Sequence, residues 1–291
     1  MNDGIANKYS QPDPKFIPST AGDIFTLTFR SNNSHTQLLF IPPFAEEANK
    51  SRHILSALGR ELAKHGIETT LIDLFGCGDS QGDLDQANLE IWHQDISNVI
   101  NHILKQLQCD NLILGGLRLG ANIAASFLNN RVPISKQQKL LLWQPIPDMA
   151  AYMKQFIRLK LAESITIQIS KAGYPKNTSE IIASIQNGEP LEISGYPLSK
   201  QLFNDICSLN LSDFKLATAA DISTFEINSS GTTSIPYQKL QQKLNESHPE
   251  LNFATCAGHQ FWACQEIARC DSLIEITANH LLQNTQEVKS E

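Results

Sequence analysis

The sequence predicts an α/β fold: a mostly parallel central sheet of about eight strands, helices on both faces and an inserted cap. Three observations carry that expectation. Short apolar runs alternate with amphipathic helical patterns from Gln37 to Leu128. A glycine-flanked turn, Gly116-Leu117-Arg118-Leu119-Gly120, joins one apolar run to the next helix. The alternation stops near Pro147 and resumes near Ile222. The expected organisation is a disordered lead-in over 1–14, a core over 15–146 and 221–291, and a cap insertion over 147–220.

The elements follow in order. Ile24–Phe29 alternates like a strand, and Ser31-Asn32-Asn33-Ser34 is a turn signal. Gln37–Ile41 is an apolar run stopped by Pro42-Pro43, which fits a buried strand. Asn49–His65 places Ile54, Leu55, Leu58 and Leu62 on one helical face, and Gly66 can cap that helix. Glu68–Asp73 is the next strand and enters the loop Phe75-Gly76-Cys77-Gly78-Asp79-Ser80. A helix over Leu89–Leu107, a strand over Asn111–Leu114, a helix over Ala121–Leu128 and a strand over Lys139–Trp143 continue the alternation. Inside the insertion Tyr152–Leu161 reads as a helix. Ile222–Ile227 resumes the sheet, followed by a helix over Tyr237–Asn245, a strand over Leu251–Thr255 and a last helix over Trp262–Leu282.

A strand, then G-x-X-x-G, then a helix is the nucleophile-elbow arrangement of α/β-hydrolase folds. The central residue of such a turn sits on strained backbone, and small neighbours let strand and helix approach closely. That residue is ordinarily a nucleophile; here it is Arg118. A guanidinium stays protonated at neutral pH and cannot attack an acyl carbon. Two roles remain for it. It can bind an anion at a helix N-terminus, where free N–H groups and the dipole already favour negative charge. Alternatively, it can pair internally with Glu46 or Glu47.

The remaining positions of a hydrolytic site are incomplete. His259, in Ala257-Gly258-His259-Gln260-Phe261-Trp262, follows the last strand and is the candidate base. The stretch after Ile222–Ile227 is Asn228-Ser229-Ser230-Gly231-Thr232-Thr233 and holds no carboxylate. Asp148 is the substitute acid, with helix capping as its simpler role. The loop Pro42-Pro43-Phe44-Ala45-Glu46-Glu47 stands where an oxyanion loop belongs, and two carboxylates are an odd lining for one. Phe44, Ala45, Glu46, Glu47, Arg118 and Leu119 form the candidate ligand-binding set. Cys77 and Ser80 are the alternative nucleophiles, although their G-x-G-x-S loop is routine in this fold.

Composition narrows the function. The 291 residues carry a net charge of -7, and 41% are hydrophobic, enough for a sizeable core. No basic cluster offers a face to a nucleic-acid backbone. No apolar run approaches the ~18 residues of a membrane helix, and the N-terminus lacks a signal-peptide core. The six cysteines show neither C-x-x-C pairs nor metal-ligand spacing, so they read as reduced thiols of a cytoplasmic protein. No metal and no cofactor is expected.

The chain resembles the second type of exosortase A system-associated hydrolases. The resemblance rests on Pro42-Pro43-Phe44-Ala45-Glu46-Glu47, Asn49-Lys50-Ser51-Arg52, Asp73-Leu74-Phe75-Gly76-Cys77-Gly78-Asp79-Ser80, Glu90-Ile91-Trp92, Gly116-Leu117-Arg118-Leu119-Gly120 and Leu142-Trp143-Gln144-Pro145. Phe156-Ile157-Arg158-Leu159-Lys160-Leu161 and Phe261-Trp262 fit as well. It implies an α/β-hydrolase fold, an arginine at the elbow, and a bacterial setting of exopolysaccharide biosynthesis and exosortase-dependent sorting, with proteins of those systems as partners. Three functions are open at this point. One is hydrolysis of an acyl ester, thioester or related small substrate by water that His259 activates. Another is non-catalytic binding of a small anionic ligand under the cap. The last is a structural role in the polysaccharide machinery.

Overall fold

In this computed structural model the described residues are 11–31, 34–106, 111–129, 137–166, 177–214, 216, 220–248 and 251–286. Ten strands and eight α-helices are found among them. β1 (Pro12–Pro18), β2 (Asp23–Phe29), β3 (Thr36–Ile41), α1 (Glu46–Lys64), β4 (Ile67–Ile72), α2 (Leu89–Gln106), β5 (Asn111–Leu117), α3 (Leu119–Leu128) and β6 (Gln137–Trp143) come first. The inserted segment then supplies α4 (Met149–Thr166), α5 (Thr178–Gln186), β7 (Leu191–Ile193), β8 (Tyr196–Leu198) and α6 (Lys200–Cys207). β9 (Ala220–Asn228), α7 (Ile235–Ser247), β10 (Asn252–Ala257) and α8 (Asp271–Gln286) complete the core.

Eight strands form one sheet in the order β1-β2-β4-β3-β5-β6-β9-β10. β1 and β2 pair antiparallel, β2 meets β4 antiparallel, and every later pairing is parallel. β7 and β8 form a separate hairpin. The pleat divides the core in two. Leu39 and Ile41 of β3 join Trp92, Ile96, Phe127 and Leu240 on one face. Leu38 and Phe40 join Ile54, Leu58, Leu273 and Leu281 on the other. Every residue of β3 is therefore buried, as a strand covered on both faces must be.

Three boundaries differ from expectation for physical reasons. β1 starts at Pro12, inside the expected lead-in, and its three prolines are tolerated because it is an edge strand. α1 begins at Glu46, so Glu46 and Glu47 are first-turn residues, where the helix dipole favours carboxylates. The last helix begins at Asp271 and not at Trp262. Phe261 and Trp262 instead bury themselves in an irregular segment, 1% and 3% exposed, packed edge to face.

Asn122, fully buried on α3, ties both ends of the inserted segment to the core. Its amide nitrogen donates to the Ile146 carbonyl at 3.0 Å and the Leu209 carbonyl at 2.8 Å, and its oxygen accepts the Ile146 N–H at 2.8 Å. No helix among the described residues is long and apolar enough to cross a membrane.

Candidate functional site

The site lies at the carboxyl ends of the parallel strands, where ligands of open α/β sheets bind. Arg118 has φ 56° and ψ -122°, the left-handed region that a non-glycine residue enters only when its surroundings enforce it. Its N–H donates to the Trp143 carbonyl at 2.9 Å, and its own carbonyl accepts from Ala121 and Asn122. Close packing leaves no freedom here. A Cβ on Gly116 would stand 2.3 Å from the Gly120 carbonyl carbon, and one on Gly120 would stand 2.3 Å from the Ile41 oxygen. The elbow thus has its strand–turn–helix geometry, with a cation at its apex.

The guanidinium is held from three sides. Nη2 and Nε donate to Glu47 Oε1 at 3.2 and 3.4 Å. The second carboxylate oxygen of Glu47 accepts the Tyr152 hydroxyl at 3.4 Å. The guanidinium carbon lies 5.4 Å from the centre of the Tyr152 ring and 5.5 Å from that of Trp262, two cation–π contacts. Burial raises the Glu47 pKa above its ordinary value, an effect that the Arg118 charge only partly offsets. Burial, reinforced by Glu47, also pushes the Tyr152 phenol well up, so its hydroxyl stays a donor.

Ala45 mirrors the elbow. It has φ 55° and ψ -132°, and α1 begins directly after it, as α3 begins directly after Arg118. The first turn of α1 thus brings the Glu47 carboxylate to the guanidinium at the start of α3, although burial outweighs the attraction and leaves its pKa raised. Glu46 turns to the insertion, where its Oε2 accepts from Asn49 at 3.1 Å and from the Tyr196 hydroxyl at 3.5 Å. Phe44 packs edge to face on Phe156, with ring centres 5.4 Å apart. A small apolar cleft of about 30 Å³ adjoins the turn, lined in part by Pro43, Phe44, Leu119 and Trp92.

The other anticipated residues lie apart from this cluster. His259 is exposed, and among the described residues no hydrogen bond or ion pair links its ring to Arg118, Glu47 or Asp148. The residue that the same loop brings to the elbow is Trp262. Asp148 is exposed and caps α4, its Oδ1 accepting the Ala151 N–H at 2.9 Å. Asn228, at the end of β9, spends its side-chain oxygen on the Ser230 and Gly231 N–H groups at 3.0 and 2.9 Å. Ser80 Oγ donates to the Asp73 carbonyl at 2.5 Å and accepts the Phe25 N–H at 2.8 Å, so it is spent on loop structure. Burial, with Asp73 and Asp95 adding to it, pushes the Cys77 thiol up to about 12, far from a nucleophilic thiolate. Among the described residues no group of three His, Cys, Asp or Glu side chains is placed to hold a metal.

Tyr152 and the placement of Trp262 are the site features that sequence reasoning missed. Both aromatic residues lie far along the chain from Arg118, and only the topology unites them. The Phe261-Trp262 pair directly after the final strand was the available signal.

Comparison with known proteins agrees with this fold. Residues 34–192 match the family described as serine aminopeptidase, S33. No curated protein matches the chain in sequence. Among solved structures, Est1E from Butyrivibrio proteoclasticus with bound ferulic acid is similar at a TM-score of 0.63 and 15% identity, covering 95% of this chain and 100% of that one. The proline iminopeptidase of Mycobacterium smegmatis is similar at a TM-score of 0.58 and 12% identity, covering 95% and 100%. DcsB in complex with a substrate analogue gives 0.61 and 12%, covering 94% and 99%. At such identities the likeness is one of fold.

Proposed function

The chain belongs to the serine aminopeptidase S33 family of α/β hydrolases, and from that premise we propose that it binds a small anionic ligand at Arg118 without forming an acyl-enzyme there. The observation that carries this reading is the guanidinium at the apex of an intact elbow, at the start of α3 and already paired with the chain's own Glu47 from the first turn of α1. A carboxylate or phosphate ligand takes the place of the Glu47 carboxylate, whose raised pKa makes it the easier partner to discharge. The inserted segment acts as a cap, with Tyr152 as the side chain that closes the elbow. The resemblance to exosortase-associated hydrolases directs the search for that ligand to exopolysaccharide and lipid-linked metabolism in the bacterial cytoplasm.

Two measurements test the reading. A fluorophosphonate probe leaves the wild-type protein unlabelled; stable labelling at any serine defeats it. Phosphate or small carboxylates raise the Tm of the wild type. Glu47→Gln binds them about tenfold more tightly, because the internal competitor is gone. Arg118→Ala loses the shift, and a shift that survived in that variant would remove Arg118 from the role.

A second reading has one observation in its favour. Glu47, held above the usual carboxylate range beside a cation, has the environment of a general base for water. Hydrolysis of an activated ester that disappears in Glu47→Gln but is indifferent to His259→Ala would favour it over water activation by His259. Asp148→Asn serves as the matching control for the acid.

A further inference from the structure

Beneath the loop that carries Trp262 lies a pair of cysteines that the elbow does not use. Cys256, in β10, and Cys270, immediately before α8, are 1% and 3% exposed. The two thiols shift each other's pKa in opposite directions, as adjacent sulfurs do. Both also reach one hydroxyl: Ser272 Oγ lies 3.4 Å from the Cys256 sulfur and 3.9 Å from that of Cys270. Ser272 is exposed and donates to the Ala257 carbonyl at 3.1 Å, so the pair sits one side chain below the surface. Space for the second sulfur exists because residue 258 is glycine: a Cβ there would come within 2.5 Å of Cys270 Sγ.

We propose that Cys256 and Cys270 form a redox-active pair that a small peroxide converts to a disulfide. The Cys256 thiolate attacks one peroxide oxygen, the O–O bond breaks, and water leaves after protonation, giving a sulfenic acid on Cys256. The Cys270 sulfur then attacks the Cys256 sulfur, the S–O bond breaks, and a second water leaves with the Cys270 proton. Two thiols are oxidised by two electrons and one hydrogen peroxide is reduced to two waters. The surroundings suit these roles. Of the two thiols Cys256 has the lowered pKa, because the Cys270 thiol beside it donates to its sulfur, and Cys270 is correspondingly raised. The bond would join the two ends of the segment that presses Trp262 on Arg118 and that His53 Nε2 already touches at the Ala268 carbonyl, 2.8 Å away.

The experiment treats the full-length reduced protein with one equivalent of hydrogen peroxide, alkylates the remaining thiols and maps tryptic peptides. Cleavage at Arg269 separates the two cysteines, so the expected product is a disulfide between peptides 244–269 and 270–289. Its absence, with both cysteines recovered alkylated, overturns the proposal. Cys264 shares the first peptide, so Cys264→Ser is run alongside. A cross-link that persists in that variant supports the Cys256–Cys270 pair, and one that vanishes overturns it. Oxidation also raises the Tm by about 5 °C, because the bond closes a short loop. The same rise in Cys270→Ser would place the oxidation elsewhere and sink the assignment. Should that variant not fold, the wild-type and Cys264→Ser maps decide alone.

Discussion

At Arg118 backbone and side chain make separate demands. A non-glycine residue at φ 56° carries about 1–3 kcal/mol of strain, which the surrounding turn must enforce. The side chain needs a counter-ion, because both partners are only 18% and 21% exposed. Removing that counter-ion leaves a largely desolvated cation, so Glu47→Ala loses about 2–3 kcal/mol in urea unfolding; a loss under 0.5 kcal/mol would mean that solvent already serves Arg118. Glu47 also makes stability depend on pH. Folding raises its pKa above the ordinary 4.5. The contribution of its protonated form is therefore complete below about 4.5 and fades as pH climbs through the folded value. Glu47→Gln cannot titrate, so its stability gains on the wild type as pH is raised from about 4 to about 8; a constant difference would contradict the shift. The acidic pair at 46–47 and the arginine were legible in the sequence, because each departs from what its position ordinarily holds. Which glutamate pairs was not legible: adjacent first-turn residues point in different directions, Glu47 to the elbow and Glu46 to Tyr196.

Among the elements, β5 and α3 are the pair the sequence announced most clearly, and α3 also packs backbone to backbone on the end of β3. With a backbone oxygen 2.3 Å from any Cβ at position 120, Gly120→Ala has no side-chain rotation to relieve it. The variant is expected to lose more than about 3 kcal/mol or to fail to fold, read by circular dichroism melts. A Tm within a degree or two of wild type would mean that α3 can retreat from β3. Long buried strands were legible because continuous apolar runs between turn residues admit few other readings. β1 was not, since prolines argue against a strand until its edge position is known. Nor was the delayed start of α8, because tertiary burial of Phe261 and Trp262 overrides the helical periodicity of that stretch. The role of Gln144 was not legible for a related reason. It adopts φ 45°, and its side-chain oxygen accepts the Ile227 N–H at 2.5 Å, stitching the end of β6 to β9; no local pattern encodes a bond across so many residues.

For the whole molecule, the question is how the inserted segment rides on the sheet. Its neck is fixed by Asn122, and its far side rests on Phe44, Glu46 and Glu47 through Phe156, Tyr196 and Tyr152. The two attachments differ in strength. Asn122→Ala leaves three backbone groups without partners in a dry interior and should lower stability by about 3 kcal/mol or more. Tyr152→Phe removes one long hydrogen bond and should cost under about 1 kcal/mol globally. It should nevertheless speed amide exchange in α4 severalfold while leaving β5 and β6 unchanged; equal acceleration everywhere would mean that the segment opens only when the sheet does. The mostly parallel sheet was readable from the alternation of strand and helix patterns, whereas its strand order and the contacts that hold the segment after β6 down involve residues of no distinctive local pattern. The sharp bend at position 118 has one more implication, for protein engineering. Since the main-chain path of a hydrolytic turn is intact under a side chain that cannot attack, Arg118→Ser leaves the scaffold with a hydroxyl already aimed, and the missing parts for installing an esterase are then an imidazole where Trp262 now lies and a carboxylate behind it.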